Sequence, residues 1–380
     1  MDLSLTESQK MLKNSAREFL KQECPWTEIK KIDESQNGFS AELWKKVAEM
    51  GWLAMHLPEE YGGMGCSLTD LAVIYEEMGQ ALLPGVFFSS SVLCGLILAS
   101  SATEKQKAEL LPAIGCGDEI LAFALTEPDY GWGPENISLK ASFRNGKFVL
   151  EGVKSFVPDA QIVDKLICAV RTGRYSSSEE GISLLLVDSG SPGLQSRQIA
   201  AFSGERFNEL IFNSVEVPES NLIGEVDKGW LALKAPLNQA TAILCSYMVG
   251  GCQHLLDMTV QYAQTRVQFG QPIGAFQWVQ GYIIEQANQL EKCRWFTAEA
   301  LWKLDSHKPE SEQDEVVSLA KAVASEAFLE CGHLGHEVHA GIGVDKKYPL
   351  YLYSKKAKTL YSYLGDPYFH RRRVARLLGL

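Results

Sequence analysis

The sequence predicts a multi-domain α+β protein with an N-terminal helical domain, a middle antiparallel β-barrel or sandwich domain, and a C-terminal four-helix bundle. Residues 1–119 carry apolar side chains at helical spacing, residues 120–227 carry short β-branched runs between turns, and long helical stretches return over 228–380. Strands and helices that are segregated along the chain are typical of α+β folds. We therefore take these three ranges as the predicted domains.

Length, charge and cysteine usage limit the classes of protein to consider. A chain of 380 residues is long enough for two or three domains. Its net charge of -11 argues against a nucleic-acid partner. Nine cysteines without any Cys-x-x-Cys pair indicate a reduced setting. The N-terminus has no apolar signal core, and the most apolar run, Ser91–Ser100, is too short to span a bilayer. We therefore expect a cytoplasmic protein with neither nucleic acid nor a membrane as partner.

Capping signals mark the N-terminal helices. Thr6 followed by Gln9 is the pattern of a capping box, and apolar residues follow it at helical spacing. A second helix runs over Ala41–Met50 and ends at Gly51, because glycine readily adopts the left-handed conformation that closes a helix. Further helices are predicted over Ser67–Ala81 and Glu104–Leu111.

The middle domain is predicted from turn residues between apolar runs. Ile120–Leu125 is an apolar strand that must end before Pro128, which has no N–H and disfavours helical backbone in the residue before it. Asn145 and Gly146 between two apolar runs predict a hairpin. Short strands without intervening helices favour an antiparallel barrel or sandwich. The further predicted strands are Lys165–Val170, Ile182–Val187 and Leu210–Val217.

The C-terminal domain is predicted to consist of long helices with short connections, which is typical of a four-helix bundle. The first helix stops at Gly270 and Pro272, and the polar segment Ser306–Gln313 connects the second helix to the third. A basic helix ends the chain. The predicted bundle helices are Leu237–Gln268, Phe276–Leu304, Glu315–Ala340 and a segment from Pro349 to Gly365.

Three histidines, His333, His336 and His339, recur at helical spacing in the third bundle helix. Imidazoles at this spacing could bind a metal ion. The apolar setting and the lack of an obvious acidic partner favour packed or surface histidines instead. We therefore predict no metal site.

Several separate motifs resemble those of the acyl-CoA dehydrogenase family and together extend nearly from end to end. The family loop Pro-Glu-x-Tyr-Gly-Gly-x-Gly matches residues 58–65, and Leu-Thr-Glu-Pro matches residues 125–128. Gly-x-Lys-x-Trp-Ile-Thr matches residues 152–158 with changes, Tyr-x-x-x-Arg-x-x-Phe-Gly-x-x-Ile matches residues 262–273, and Val-x-Val-Pro-x-x-Asn-x-Leu-Gly closely matches residues 215–224. The resemblance implies an oligomeric FAD flavoprotein, an oxidoreductase of lipid metabolism that acts on an acyl-CoA thioester and passes electrons to an acceptor flavoprotein.

The resemblance also implies which residues contact FAD. Arginine offers a fixed fork of donors to a pyrophosphate, and an aromatic ring packs against a flat heterocycle. Considered without the resemblance, the same side chains could simply pack or cap a helix end. The residues expected behind the flavin ring are Leu125, Thr126 and Phe156. The residues expected to reach the FAD of a neighbouring subunit are Arg266, Phe269, Gln277 and Gly341.

Five positions around the cofactor depart from the family pattern, and the mildest change is Phe156 in place of a tryptophan beside the flavin ring. Trp132 stands where the family usually has a serine near the pyrophosphate, and Pro158 stands where it has a threonine that bonds the flavin edge. Glu337 and Ala340 replace a glutamine and a glycine at the adenine end. A proline has neither the hydroxyl nor the N–H, and a carboxylate near phosphates is unfavourable. From the changes at Trp132, Phe156 and Pro158 we expect this chain's own flavin pocket to be weak or closed. Glu337 and Ala340 instead put in doubt the contact with the adenine half of a neighbouring subunit's cofactor.

The catalytic base of the family also has no counterpart here. The implied reaction needs a carboxylate that takes the α-proton of the thioester while the β-hydride passes to the flavin. The two positions that supply this glutamate in the family correspond to Leu364 and Ala240. Asp366 is the nearest substitute, although Gly365, Asp366 and Pro367 could equally be a helix stop.

These departures resemble the subunits of bacterial heteromeric acyl-CoA dehydrogenases that lack the catalytic glutamate, as does the basic run His370–Arg373. We therefore expect this chain to pair with a homologous base-bearing subunit in a heterotetramer. Two alternatives stay open. One is a self-sufficient homo-oligomer that uses Asp366 or a base-independent reaction, and the other is a structural or binding subunit without flavin.

Overall fold

The computed structural model describes residues 4–173, 176–202 and 205–380. Helices are followed by strands and then by helices again, so the α+β fold class predicted from the sequence is confirmed. By its internal contacts the chain divides into two compact units, each described separately below. One unit comprises residues 4–31, 67–83 and 241–380, and the other comprises residues 32–66 and 84–240.

The N-terminal helices begin where the capping signals predict. The Thr6 hydroxyl accepts a hydrogen bond from the Gln9 N–H, and the Gln9 side chain accepts one from the Thr6 N–H. The last helix runs past its predicted end at Leu111, and Pro112 lies inside it rather than after it. A proline removes one hydrogen bond, and the buried Ile114 keeps the following turn packed. The helices are α1 (Glu7–Glu23), α2 (Trp26–Glu34), α3 (Ala41–Glu49), α4 (Leu68–Ala81), α5 (Gly95–Ser101) and α6 (Glu104–Cys116).

The middle strands form one sheet in the order β6-β7-β3-β2-β4-β5-β8, with β1 paired to β4. The predicted hairpin joins β2 to β3, and its turn residues Asn145 and Gly146 have φ of 51° and 74°, as a type I′ turn requires. The strands are β1 (Leu121–Ala124), β2 (Lys140–Arg144), β3 (Lys147–Pro158), β4 (Lys165–Arg171), β5 (Ile182–Asp188), β6 (Leu194–Ile199), β7 (Phe207–Pro218) and β8 (Leu222–Ile223).

Two strand pairings differ from the antiparallel arrangement expected from the sequence, because β4 runs parallel both to β1 and, where Lys140 lies opposite Arg171, to β2. β1 runs parallel to β4, with Leu121 opposite Lys165 and Ala124 opposite Cys168. A parallel pair needs a long connection, and the β2–β3 hairpin lies within the chain between the two strands. The other long pairings, β3 with β7 and β4 with β5, are antiparallel. The domain is therefore a mixed sheet that is mostly antiparallel.

Two of the C-terminal helices begin earlier than predicted, whereas the fourth, Leu350–Ser362, is shorter than predicted. The first begins at Gly229 rather than Leu237 because Pro236 is accommodated inside it, and the third begins at Glu310, directly after Pro309. The third helix packs against the second, fourth and fifth. Within the described residues, no helix combines the length and the apolar character needed to cross a membrane. The elements are α7 (Gly229–Thr265), β9 (Val267–Gln268), β10 (Gln271–Pro272), α8 (Gln277–Asp305), α9 (Glu310–His339), α10 (Leu350–Ser362) and α11 (Pro367–Leu377).

Candidate functional site

The turn after β1 is tied to the neighbouring strand β3. Leu125 is buried, and the Thr126 hydroxyl donates a hydrogen bond to the Ser155 carbonyl. The Ser155 N–H in turn donates to the Thr126 carbonyl at 2.9 Å. These reciprocal bonds fix the turn, so Thr126 and Phe156, both predicted from the sequence, lie on adjoining backbone.

A buried ion pair stabilises this turn. Lys154 is fully buried, and its Nζ lies 2.7 Å from Glu127 Oε1 and 2.8 Å from the Leu125 carbonyl. Glu127 also accepts the N–H groups of Ser138 and Leu139 at 2.9–3.0 Å. Burial alone would raise the pKa of the Glu127 carboxyl. The Lys154 charge and the hydrogen bonds together lower that pKa by a larger amount, so the net shift is downward. The Glu127 carboxyl is therefore held in its ionised form.

Phe156 lies in a β-bulge. The pairing of β3 with β7 shifts register between Lys154 and Val157, and Phe156 has a φ of 55°. Its ring is 40% exposed and contacts the Tyr130 ring edge-on at 5.5 Å. Tyr130 contacts Trp132 at 4.6 Å. Sequence reasoning missed this aromatic cluster, because only the fold brings the two segments together.

The turn after β1 and the Tyr130, Trp132 and Phe156 cluster together form one wall of the candidate site. This wall fits a flat ring better than it fits phosphates. Rings of the cluster offer a stacking surface, and the bulge leaves backbone around Phe156 unpaired with β7. Pro158, which pairs with Phe207, supplies no N–H or hydroxyl. At the Trp132 position the indole supplies one N–H and no acceptor. The wall therefore fits the ring of FAD and offers fewer polar partners to the rest of the molecule.

A second set of predicted residues lies on a hairpin between α7 and α8. β9 pairs with β10, and the turn residues Phe269 and Gly270 have φ of 51° and 82°. The Phe269 ring stands at the tip and is 92% exposed. Arg266 and Gln277, at the two ends of the hairpin, are exposed as well. The structure thus presents a guanidinium, a ring and an amide outward from one short segment.

The predicted Gly341 turn lies beside this hairpin. Tyr262, on the last turns of α7, stacks on His339 at 4.4 Å. Ala340 has a φ of 51°, a left-handed conformation that favours glycine, which is the residue that the resemblance implies at this position. Gly341 has open space where a side chain would stand. Glu337 is exposed on α9. The sequence-predicted residues of the bundle therefore cluster at one end of α7 and α9.

The histidines of α9 have structural partners. His336 is hydrogen-bonded to the Ser354 hydroxyl at 2.8 Å, and His339 Nδ1 donates to the Gly335 carbonyl at 2.8 Å. Burial lowers the pKa of both imidazoles. His333 lies near Glu330. Across the described residues, no group of three histidine, cysteine, aspartate or glutamate side chains is arranged to hold a metal ion.

The two positions expected from the sequence to correspond to the family base, Ala240 and Leu364, carry no carboxylate. Ala240 is fully buried in α7. Leu364 is buried in the turn between α10 and α11, at a φ of 58°. Asp366 caps α11, where its carboxylate accepts the Phe369 N–H at 2.7 Å. This capping contact is a structural reason for an aspartate at that position.

Two buried side chains, which sequence reasoning missed, hold the Leu364 turn. Lys321 Nζ donates to the Ser325 hydroxyl at 2.8 Å and to the Gly365 and Leu360 carbonyls at 2.9 and 3.2 Å. Burial lowers the pKa of Lys321 to about 8. His370 Nε2 donates to the Leu364 carbonyl at 3.0 Å, and burial lowers its pKa to about 3. A lysine on the apolar face of α9 was the signal that could have revealed the first contact.

Family models match nearly the whole chain. The N-terminal, middle and C-terminal domains of acyl-CoA dehydrogenases match residues 6–118, 122–215 and 227–379. An acryloyl-CoA reductase (NADH) of Anaerotignum propionicum is 31% identical, over 99% of this chain and 95% of that protein.

Solved structures agree with this assignment. PigA with FAD and proline is 27% identical, with a TM-score of 0.91 and full coverage of both chains. A chain of the ChsE4-ChsE5 complex from Mycobacterium tuberculosis is 25% identical, with a TM-score of 0.89 over 100% of this chain and 99% of that one. Structures of this family include FAD complexes, and the family is one of flavoprotein oxidoreductases. From the matched models, the relative and the fold together, the chain belongs to the acyl-CoA dehydrogenase family.

Proposed function

We propose that this chain is a subunit of an FAD-dependent enzyme that interconverts an acyl-CoA thioester and its α,β-unsaturated form. We further propose that it works beside a homologous subunit that carries the catalytic glutamate. In this assembly the chain contributes Arg266, Phe269 and Gln277 to the FAD of its partner. The exposed Phe269 at the hairpin tip is the observation that carries the proposal.

The hairpin supports a role between subunits. A phenyl ring that is 92% exposed buries little apolar surface in its own chain, although it meets the Phe276 ring edge-on at 6.0 Å. The type I′ turn holds it outward at a defined position, and Arg266 is exposed at the start of the same hairpin. An aromatic ring beside a guanidinium suits the adenine or flavin ring and the pyrophosphate of a dinucleotide.

Leu364 and Ala240 support the proposal that this chain lacks the catalytic base and that its partner supplies one. Leucine and alanine cannot take a proton, and both are buried. Asp366, the alternative base, already caps α11 and lies near the Lys321 charge. These contacts weigh against the self-sufficient alternative that uses Asp366.

This chain's own residues would bind and orient rather than transfer protons. Bound FAD supplies the acceptor for the β-hydride of the thioester. Thr126 and Phe156 would line one face of a flavin ring on the β domain, and the Glu127–Lys154 pair keeps their turn in position. Arg266 would neutralise a pyrophosphate across the subunit boundary. The α-proton would be taken by a carboxylate of the partner.

The class of enzyme allows both directions of the reaction and indicates the kind of electron partner. The acryloyl-CoA reductase relative is named for the reductive direction, whereas the family name denotes the oxidative one. A flavin exchanges electrons with a second redox protein in either direction. We therefore propose an electron-transferring flavoprotein as that second protein.

The flavin content of the purified chain tests the proposal. We expect little flavin absorbance from the chain alone, and a yellow complex after co-expression with a base-bearing relative from the same genome. In that complex, Phe269→Ala and Arg266→Ala should each lower the FAD content. A matched control is Trp278→Ala, an exposed ring just beyond the hairpin, which should leave the content unchanged.

Two outcomes would favour the alternatives. The first outcome is a chain that binds about one FAD without any partner and whose flavin is bleached by an acyl-CoA. This result would overturn the proposal that the chain serves the FAD of a partner, and Asp366→Asn would be the next variant to test. A mixed complex that assembles but stays colourless would indicate a structural or binding subunit.

A further inference from the structure

A cavity of about 1030 Å³ lies within the unit that contains the bundle. Its walls come from α1, α4, α7 and α8. Ligand pockets of proteins typically measure roughly 300–1,000 Å³, so the cavity is large enough for a small organic molecule. None of the residues assigned above to FAD, nor Leu364 or Asp366, lines it.

The buried part of the lining is apolar apart from two hydroxyl groups. The apolar side chains come from α4, α7 and α8, and the hydroxyls come from α7 and α8. Such a surface favours an occupant with an apolar body. The buried lining residues are Ala72, Val73, Ser246, Val249, Thr297 and Leu301.

The Thr297 hydroxyl is the unusual member of this lining. Buried hydroxyls in helices normally bond the carbonyl four residues earlier, as Ser246 does to Ala242 at 3.2 Å and Thr259 does to Leu255 at 2.7 Å. Thr297 is only 3% exposed, yet among the described residues its Oγ1 has no hydrogen-bond partner. An unpaired buried hydroxyl costs free energy, so it points to a polar group that enters the cavity.

The charged residues of the lining are balanced and already paired. Lys13 Nζ lies 2.9 Å from Glu76, and Arg294 donates to Gln253, which donates to Asp257 at 2.9 Å. A site without a free charge does not favour an ionic occupant. Three charged side chains are basic and three are acidic, namely Lys13, Arg17, Arg294, Glu76, Asp257 and Asp305.

Two indole rings add flat surface to the lining. Trp295 and Trp302 both belong to α8, and Trp295 is more than half exposed. Its indole N–H donates to Glu291 at 3.2 Å, so the ring is oriented. Aromatic faces pack well against planar apolar groups.

From this lining we infer that the cavity binds an uncharged, mostly apolar small molecule that ends in a hydroxyl or carbonyl group. The polar end bonds the Thr297 hydroxyl, and the apolar body packs against Val73, Val249 and Leu301. This site is separate from the proposed flavin chemistry and does not depend on it.

Calorimetric titration of the full chain with 1-naphthol, and with naphthalene as the probe without a hydroxyl, tests the inference. We expect 1-naphthol to bind more tightly than naphthalene. Thr297→Val keeps the side-chain volume and removes the hydroxyl, so it should weaken 1-naphthol binding about three- to tenfold and leave naphthalene binding unchanged. Ala298→Trp fills the cavity from a partly exposed position and should abolish binding of both probes.

Ser318→Ala is the matched control. Ser318 is fully buried in α9, its hydroxyl also has no partner among the described residues, and it does not line the cavity. The control should bind both probes as the unaltered chain does. No binding by the unaltered chain would overturn the inference. Binding that survives Ala298→Trp, or that falls equally in Ser318→Ala, would overturn it as well.

Discussion

Two fully buried lysines stabilise the two regions in which the site residues lie, and they do so by different means. In the β domain, Lys154 pairs with the Glu127 carboxylate as well as the Leu125 carbonyl. In the bundle, Lys321 contacts backbone carbonyls and the Ser325 hydroxyl, without a carboxylate in hydrogen-bond contact. One ammonium group is hydrogen-bonded directly to a countercharge, whereas the other is hydrogen-bonded to backbone and hydroxyl dipoles, with Asp366 only nearby.

This difference shows how each region tolerates a buried charge. Burial lowers the pKa of both lysines. The Glu127 carboxylate opposes that effect at Lys154, so breaking the pair leaves a charge that cannot be neutralised cheaply. Lys321 can instead lose its proton at mildly alkaline pH and still donate hydrogen bonds as a neutral amine. The β-domain turn should therefore be the more sensitive of the two to mutation, and the bundle turn the more sensitive to pH.

The largest effect should follow from breaking the ion pair. Glu127→Ala leaves Lys154 buried without a countercharge and should lower the free energy of unfolding by about 3–5 kcal/mol. The double variant Glu127→Leu/Lys154→Met removes both charges and should lose much less. Urea unfolding measures both values. A single variant that is as stable as the double variant would contradict the comparison.

Lys321→Met should have a smaller effect. The substitution leaves the Leu360 and Gly365 carbonyls without their donor but also removes the cost of burying a charge, so we expect a loss of about 1–3 kcal/mol. Lys10→Met is the control, because Lys10 is exposed on α1 and its loss should change stability by less than about 0.5 kcal/mol. Equal losses in the two variants would show that the carbonyl contacts do not stabilise the turn.

The pH dependence of stability should separate Lys321 from other groups. Its pKa is about 8 in the folded chain and 10.5 in the ordinary exposed state. Between these values the unfolded chain binds more protons, so stability relative to Lys321→Met should rise with pH, by at most about 1.4 kcal/mol per pH unit. Urea unfolding of both chains across pH 7–10 gives this difference. A difference independent of pH would contradict a lowered pKa.

The smallest effect should come from a neutral hydrogen bond in the same β-domain turn. Thr126→Val removes the donor to the Ser155 carbonyl but keeps the volume and should cost about 0.5–1.5 kcal/mol. Thermal unfolding measures the loss. A cost as large as that of Glu127→Ala would mean that the ion pair is not the main support of the turn.

Local signals in the sequence were enough to predict most of the elements. The Thr6 capping box and the Asn145-Gly146 hairpin each depend on backbone geometry within a few residues, and both are present. Pro112 and Pro236 gave wrong helix ends, because packing outweighs the loss of one hydrogen bond. The parallel pairing of β1 with β4 was missed since it joins segments far apart in sequence.

The candidate site was only partly predictable. The hairpin residues Arg266 and Phe269 were identified from a motif, and their common exposure agrees with a contact between subunits. The Tyr130, Trp132 and Phe156 cluster depends on a bulge that the sequence pattern does not encode. The Lys321 contacts with the α10 carbonyls depend on two helices meeting. Long-range contacts of this kind are set by the tertiary fold rather than by local spacing.

The exposed Phe269 ring has a consequence for how this protein is produced in the cell. In the proposed heteromer, the ring stays uncovered until the partner binds, and it is then the kind of apolar surface that chaperones and proteases recognise on incomplete assemblies. A surplus of this chain over its partner should therefore be short-lived. Selection should accordingly favour balanced synthesis of the two subunits, which a shared transcript would provide.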